Sequence, residues 1–356
     1  RYVQVLFRFA HHGEGFTAEG LVYDGTTPIQ AINSYRDDIP IAVKARGGEK
    51  FVYYIEAAAN PSAPCHGDGQ RLDPEFNGPA RFTLLQAVLV CVDREIHEAV
   101  IDFRIANDLQ RSLPENSPRR GQLLFALSKA VNCFDEGGRP ALKKALAGLK
   151  PVLYRPNAAS AYTFSAIGHA HIDTAWLWPL RETVRKVART WSTALRYMKD
   201  YPAYVFGGPQ AQHYGWMKKN YPAIFEGIRK AIRRGQWEAI GSMWVEADCN
   251  ITGGESLVRQ VLHGKRFFLQ EFGVETRDLW LPDVFGYSAA LPQILKKAGI
   301  DYFSTIKISW NQFNRFPHTT FLWEGIDGTR VFSHFPPCNN YNGFMNPDEL
   351  QRGARD

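Results

Sequence analysis

The chain has 356 residues, more than one hydrophobic core usually serves, so two domains or three are expected. Its 45% hydrophobic and 13% aromatic content excludes a disordered chain. The formal charge of +6 sets 42 basic residues against 36 acidic ones, and no basic-aromatic stripe marks a nucleic-acid surface.

Basic clusters such as Arg229-Lys230 with Arg233-Arg234, and Lys296-Lys297, sit at helical spacing and read as solvated helix faces. Five scattered cysteines (Cys65, Cys91, Cys133, Cys249, Cys338) form no Cys-x-x-Cys pair, which points to a reducing compartment. No apolar run reaches the ~18 residues of a membrane span. The chain opens at Arg1 without a methionine, which leaves its compartment open.

The first 80 residues read as a β-rich accessory module of sandwich type. Val3–Phe9 alternates, Tyr23–Pro28 is a turn cluster, and Lys50–Glu56 is another strand. His11, His12 and His66 have no partners at ligand spacing and read as surface histidines. Residues 81–160 read as a helical segment and linker. Leu84, Leu85, Val88, Leu89 and Val92 recur at helical spacing, as do Leu123, Leu124, Leu127, Val131 and Phe134. Gly137-Gly138 and Pro140 separate a further short helix.

From residue 161 to 356 strands and helices alternate. Strands are expected at 162–167, 204–208, 237–244, 279–283, 301–306 and 331–335, with helices between them. That order implies parallel strands joined by crossovers, in a β/α barrel or an open doubly wound sheet. Either architecture gathers functional side chains outside the carboxyl ends of its strands. Those ends deliver His169, His171 and Asp173; Gln210 and Gln212; Glu246, Asp248 and Asn250; Asp283; Lys307; and His334.

The residue types narrow the chemistry. There is no Gly-x-Gly-x-x-Gly, no P-loop and no Gly-x-Ser-x-Gly elbow, and Cys249 has no histidine base nearby. Carboxylates and histidines remain. His169, His171 and Asp173 alternate on one face of an extended segment, as either a metal-ligand or an acid/base set. Asp283, placed between Pro282 and the Phe285-Gly-Tyr287 turn, completes a metal site, acts as a nucleophile, or does both. Trp176, Trp178, Trp244, Trp280, Trp310 and Trp323 offer sugar-stacking surfaces, though most read as core or wall residues.

The segment His171-Ile-Asp-Thr-Ala-Trp176, followed by Leu-Trp-Pro-Leu-Arg-Glu-Thr183, resembles the zinc motif of glycoside hydrolase family 38, the retaining α-mannosidases. Trp280-Leu-Pro-Asp-Val-Phe-Gly-Tyr287 resembles its nucleophile motif. Ser242-Met-Trp-Val-Glu-Ala-Asp248, Lys307-Ile-Ser-Trp-Asn-Gln312, and Thr174-Ala175 in place of proline and glycine resemble the cytosolic-type branch.

The resemblance implies an α/β fold built on an irregular, seven-stranded parallel β/α barrel, one strand more than the six counted here. It implies Zn2+, or another divalent metal such as Co2+, on His171, Asp173 and Asp283. Asp283 would also be the nucleophile of a covalent mannosyl intermediate. Trp176, Asp248 and Lys307 would bind substrate, and His169 would orient the site. It further implies an α-mannoside oligosaccharide substrate, a cytoplasmic setting and a homo-oligomer, with neither nucleic acid nor membrane as partner.

A retaining glycosidase needs a second carboxyl as acid/base. The family's glycine-rich Asp motif and its last metal-binding histidine find no counterpart here, so a partial chain, inactive alone, is expected. A metal-dependent polysaccharide deacetylase, with Asp283 as base, and a non-catalytic sugar-binding fragment are the alternatives.

Overall fold

A computed structural model describes residues 1–9, 18–59, 83–156, 159, 161–314 and 316–355. His11, His12, His66 and Cys65 lie outside the described residues. Six strands come first: β1 (Tyr2–Phe9), β2 (Ala18–Asp24), β3 (Thr27–Ile32), β4 (Asp38–Ala42), β5 (Tyr53–Ala59) and β6 (Leu84–Val92). Helices α1 (Arg94–Ser112) and α2 (Pro118–Leu153) follow. Next come β7 (Gly168–His169), α3 (Leu180–Asp200), β8 (Phe206–Gly208), α4 (Ala211–Asn220), α5 (Pro222–Arg233), β9 (Trp237–Ala239) and α6 (Gly254–Phe272). The chain continues through β10 (Asp278–Leu281), α7 (Leu291–Lys297), β11 (Tyr302–Thr305), β12 (Thr320–Glu324), β13 (Arg330–His334) and α8 (Pro347–Gly353).

Two compact units result: Val3–Val90 with Ile167–Pro336, and Arg1–Tyr2 with Cys91–Ala166 and Pro337–Asp356. In the larger unit the early strands make two three-stranded sheets, β4-β1-β6 and β3-β2-β5. Strand β6 corrects the helical reading of Leu84–Val92. Its apolar residues fit either period, and the valine-rich run favours extended backbone. The first helical cap comes only at Asp93, whose carboxylate accepts from the N–H groups of Glu95 and Ile96.

The later strands pair in parallel as β7-β8-β9 and as β10-β11-β13. The expected order of six parallel strands is present. Several are shorter than expected; no residue of the anticipated strand over 162–167 is in one, and β7 begins only at Gly168 and holds two residues. Strand β12 is an unanticipated addition, antiparallel to β13. The single helix expected between β8 and β9 breaks at Pro222, giving α4 and α5. Among the described residues no ladder joins β9 to β10, so barrel closure is not part of the observed pairing. The two parallel sets meet through the Gly241 N–H, which donates to Asp278 Oδ2 at 2.9 Å, and a bridge between Cys249 and Tyr287.

The core beneath β7-β8-β9 is aromatic. Trp191, Tyr214, Trp237 and Phe268 are fully buried, and the polar atoms of Trp237 and Tyr214 are satisfied in series. Trp237 Nε1 donates to the Tyr214 hydroxyl at 2.8 Å, which donates to Gly208 O at 2.8 Å. Gly168 is required by close approach, because a Cβ there would lie 2.2 Å from the Tyr204 hydroxyl.

Helix α3 also receives the β3-β2-β5 sheet. Its Lys186 and Arg189 side chains reach Glu19 of β2, and Arg189 also pairs with Glu182. All four are buried. Thr193 Oγ1 accepts the Ala31 N–H at 2.8 Å.

The smaller unit packs α1 against α2 around Leu123, Ala126, Ala130 and Leu149. Helix α2 breaks at Gly138 (φ 58°, ψ −150°), where the double glycine predicted a boundary. Asn346 caps α8, its Oδ1 accepting from Glu349 N, and Glu349 Oε2 accepts from Phe344 N and Met345 N ahead of the cap.

Candidate active site

The parallel strands deliver their polar residues to one end, and a subset converges. Beyond β7 the chain carries His171 and Asp173 into the turn before α3, where Thr183 Oγ1 donates to Asp173 O at 3.1 Å. Beyond β10 comes Asp283. Its loop is closed by Tyr287, whose hydroxyl reaches Leu281 O (3.2 Å) and Val284 O (3.1 Å) and bonds Thr305. Gly286 adopts φ 150°, and a Cβ there would lie 2.5 Å from Asn250 Nδ2, so this turn demands glycine.

His171 Nε2 lies 3.3 Å from Asp173 Oδ1 and 3.2 Å from Asp283 Oδ2, while Nδ1 faces Glu246 Oε2 at 2.9 Å. Lys307 Nζ stands 2.7 Å from Asp283 Oδ1. It also lies 3.6 Å from the Trp310 ring centroid and 4.8 Å from that of Phe285. The ligand atoms of His171, Asp173 and Asp283 all fall within 4.8 Å of one another.

Burial would lower the His171 pKa, but Glu246 above all, with Asp173 and Asp283, raises it to about 12. For Asp283 burial acts upward, yet His171 and Lys307 hold it at about 2. That carboxylate is ionised across the physiological range. His213, fully buried, is driven down to about 3 by desolvation and then by the His171 charge.

The donor set fits a divalent metal. One imidazole nitrogen and two carboxylates converge, types that suit Zn2+. Three carboxylates (Asp173, Asp283, Glu246) meet one lysine, and the Asp173 side chain keeps 30% exposure, which leaves an open side.

Of the other predicted site residues, His169 faces the sheet: its Nδ1 contacts Gly207 O at 3.2 Å and its Nε2 accepts from Trp280 Nε1 at 3.3 Å. Trp176 is 48% exposed and edge-on to the buried Trp178. Asp248 is exposed and accepts from the N–H groups of Asn250 and Ile251, capping its own loop. His334 contacts Thr320 on the neighbouring strand at 2.8 Å. Gln212 binds Trp244 Nε1.

Sequence reasoning gave no role here to Gln210, Thr174 and His213. Gln210 Nε2 donates to Ile172 O (2.9 Å) and Glu246 Oε1 (3.3 Å). Thr174 Oγ1 donates to Gln210 Oε1 at 2.9 Å and lies 2.9 Å from His213 Nε2. A strand-end glutamine was the available signal for Gln210; His213, inside α4, had none.

Residues 161–356 match the family described as Glycosyl hydrolases family 38 N-terminal domain, and residues 1–90 match Alpha-mannosidase, jelly roll domain. The chain is 40% identical to Alpha-mannosidase 2C1 of Homo sapiens over 91% of its own length and 31% of that protein. It is 37% identical to Alpha-mannosidase G of Dictyostelium discoideum (94% and 31%) and 36% identical to Alpha-mannosidase of Saccharomyces cerevisiae (95% and 32%). It thus spans about a third of the curated relatives it matches, at 31–32% of their length.

Proposed function

From the premise that the chain belongs to glycosyl hydrolase family 38, we propose that it carries the nucleophile half of a retaining exo-α-mannosidase. The observation that carries this reading is Asp283, ionised and held between His171 and Lys307 beside Asp173. His171, Asp173 and Asp283 would hold the metal, zinc in our reading, which supplies Lewis-acid polarisation of sugar hydroxyls.

This chain's residues supply the nucleophile and its surroundings, and the acid/base comes from the remainder of the full-length protein in this reading. A carboxylate oxygen of Asp283 attacks the anomeric carbon as the glycosidic C–O bond breaks, and the leaving oxygen takes a proton from the acid/base. Water then cleaves the mannosyl-aspartate ester, which restores the Asp283 carboxylate. Lys307 keeps that carboxylate anionic, and Trp176 offers a half-exposed face to the sugar. Glu246 is buried and engaged with His171 and Gln210, and Asp248 caps its loop, so neither is assigned the acid/base role. The same reading carries a closed β/α barrel, substrate contact by Asp248, a homo-oligomer and a cytoplasmic setting. Among the described residues no helix is long and apolar enough to cross a membrane.

The test uses the full-length protein and a mechanism-based fluoro-mannosyl fluoride, with peptide mass analysis of the segment around Asp283. Label on Asp283, with hydrolysis of an aryl α-mannoside, is the expected result. Acetyl release from acetylated sugars without labelling would turn the reading to a deacetylase, and a metal-bound protein inert to both would be a binding scaffold.

A further inference from the structure

We propose that Glu246 is a positioning residue for the metal site: it holds the proton of His171 on Nδ1 and thereby turns the Nε2 lone pair toward Asp173 and Asp283. This rests on the metal reading above. A neutral imidazole has two tautomers, and only the one protonated on Nδ1 can offer Nε2 as a ligand. Oε2 of Glu246 lies 2.9 Å from Nδ1, and its side chain is 5% exposed, where an anionic oxygen acts strongly on a nearby proton.

The other oxygen of this carboxylate is held as well. Gln210 donates to Oε1 at 3.3 Å while binding Ile172 O and accepting from Thr174, so it grips the segment that carries Asp173 on both flanks. From the other direction Gln260 of α6 fixes the backbone before Glu246. Its carbonyl accepts from Trp244 N and its Oε1 from Val245 N, each at 3.0 Å. One frame thus sets Asp173, Glu246 and the His171 ring together.

The experiment measures zinc affinity of the full-length protein by competition with a chromogenic chelator, for wild type, Glu246→Ala, Glu246→Gln and His171→Ala. The cobalt(II) visible spectrum and thermal melts are recorded in parallel. Glu246→Ala is expected to bind zinc ~10–100-fold more weakly. Glu246→Gln, which keeps an acceptor for the Nδ1 proton, should recover part of the loss and shift the cobalt bands. Should Glu246→Ala fail to fold, the isosteric Gln variant is read by itself. Wild-type affinity and spectrum in the folded Glu246 variants, with zinc lost in His171→Ala, overturn the role of Glu246 alone. Equal zinc binding by wild type and His171→Ala overturns the metal reading and this inference with it.

Discussion

Two buried charge clusters sit in the larger unit, and they are built on opposite plans. At α3, Glu19 and Glu182 meet Lys186 and Arg189, two anions against two cations. At the strand ends, Asp173, Glu246 and Asp283 converge on His171 with Lys307 as the fixed cation. The first is balanced and satisfies itself. The second carries surplus carboxylate in a place where burial penalises it, a cost that proteins accept at sites of chemistry. Charge balance, more than burial or distance, separates the structural cluster from the candidate site.

The largest effect that would test this contrast is at Asp283. If one carboxylate is both nucleophile and ligand, as proposed, Asp283→Ala in the full-length protein should lower kcat on the order of 10^4-fold or more and also weaken zinc binding. Unchanged zinc occupancy would break the shared assignment.

On the balanced side, Arg189→Met takes one cation from two buried carboxylates, leaving Glu19 to Lys186 and Glu182 to Arg185, and should cost about 3 kcal/mol of stability, read from urea or thermal unfolding. Asp173→Asn, which removes one of the surplus anions, should shift the melt of the metal-free protein by no more than ~1 kcal/mol while zinc affinity falls. Equal destabilisation by the two would erase the distinction.

A finer test is pH. His213, lowered to about 3 by burial, contributes stability that is present above its ordinary 6.5 and lost as pH falls from there toward 3. His171 in the metal-free protein runs the other way. Raised to about 12 against the effect of its burial, chiefly by Glu246, it contributes stability present below 6.5 and lost as pH rises toward 12. Melting temperatures from pH 7 to 3 should fall less steeply for His213→Gln than for wild type; an identical slope would remove His213 from the account. The smallest effect belongs to the exposed cross-strand pair Glu324–Arg330, where Glu324→Gln should stay within ~1 kcal/mol.

Much of this was legible in the chain itself. Apolar runs ended in polar residues at one end of successive strands, and the motifs around His171 and Asp283 marked the two that carry the ligand atoms. Side-chain direction was less legible. Glu246, Asp248 and Asn250 alternate as if on a strand, but β9 ends at Ala239 and the following loop bends at Ser242 (φ 55°), so spacing could not say that Glu246 turns inward and Asp248 outward. Strand β6 was misread because clustered leucine and valine satisfy the helical period as well as the extended one. The partnership of β2 with α3 spans some 170 residues between Glu19 and Arg189, and no local pattern encodes it.

Helix α3 therefore has a practical consequence for anyone cutting the gene. Its first turn steadies the Asp173 loop through Thr183, and its next two turns present Lys186 and Arg189 to a glutamate from the N-terminal sheet. Expression of residues 161–356 alone would take Glu19 from both cations and bare the face of α3 that the sheet covers, with Glu182 left to Arg189. Such a fragment should aggregate before its chemistry can be assayed, and co-expression with the first 90 residues is the natural rescue.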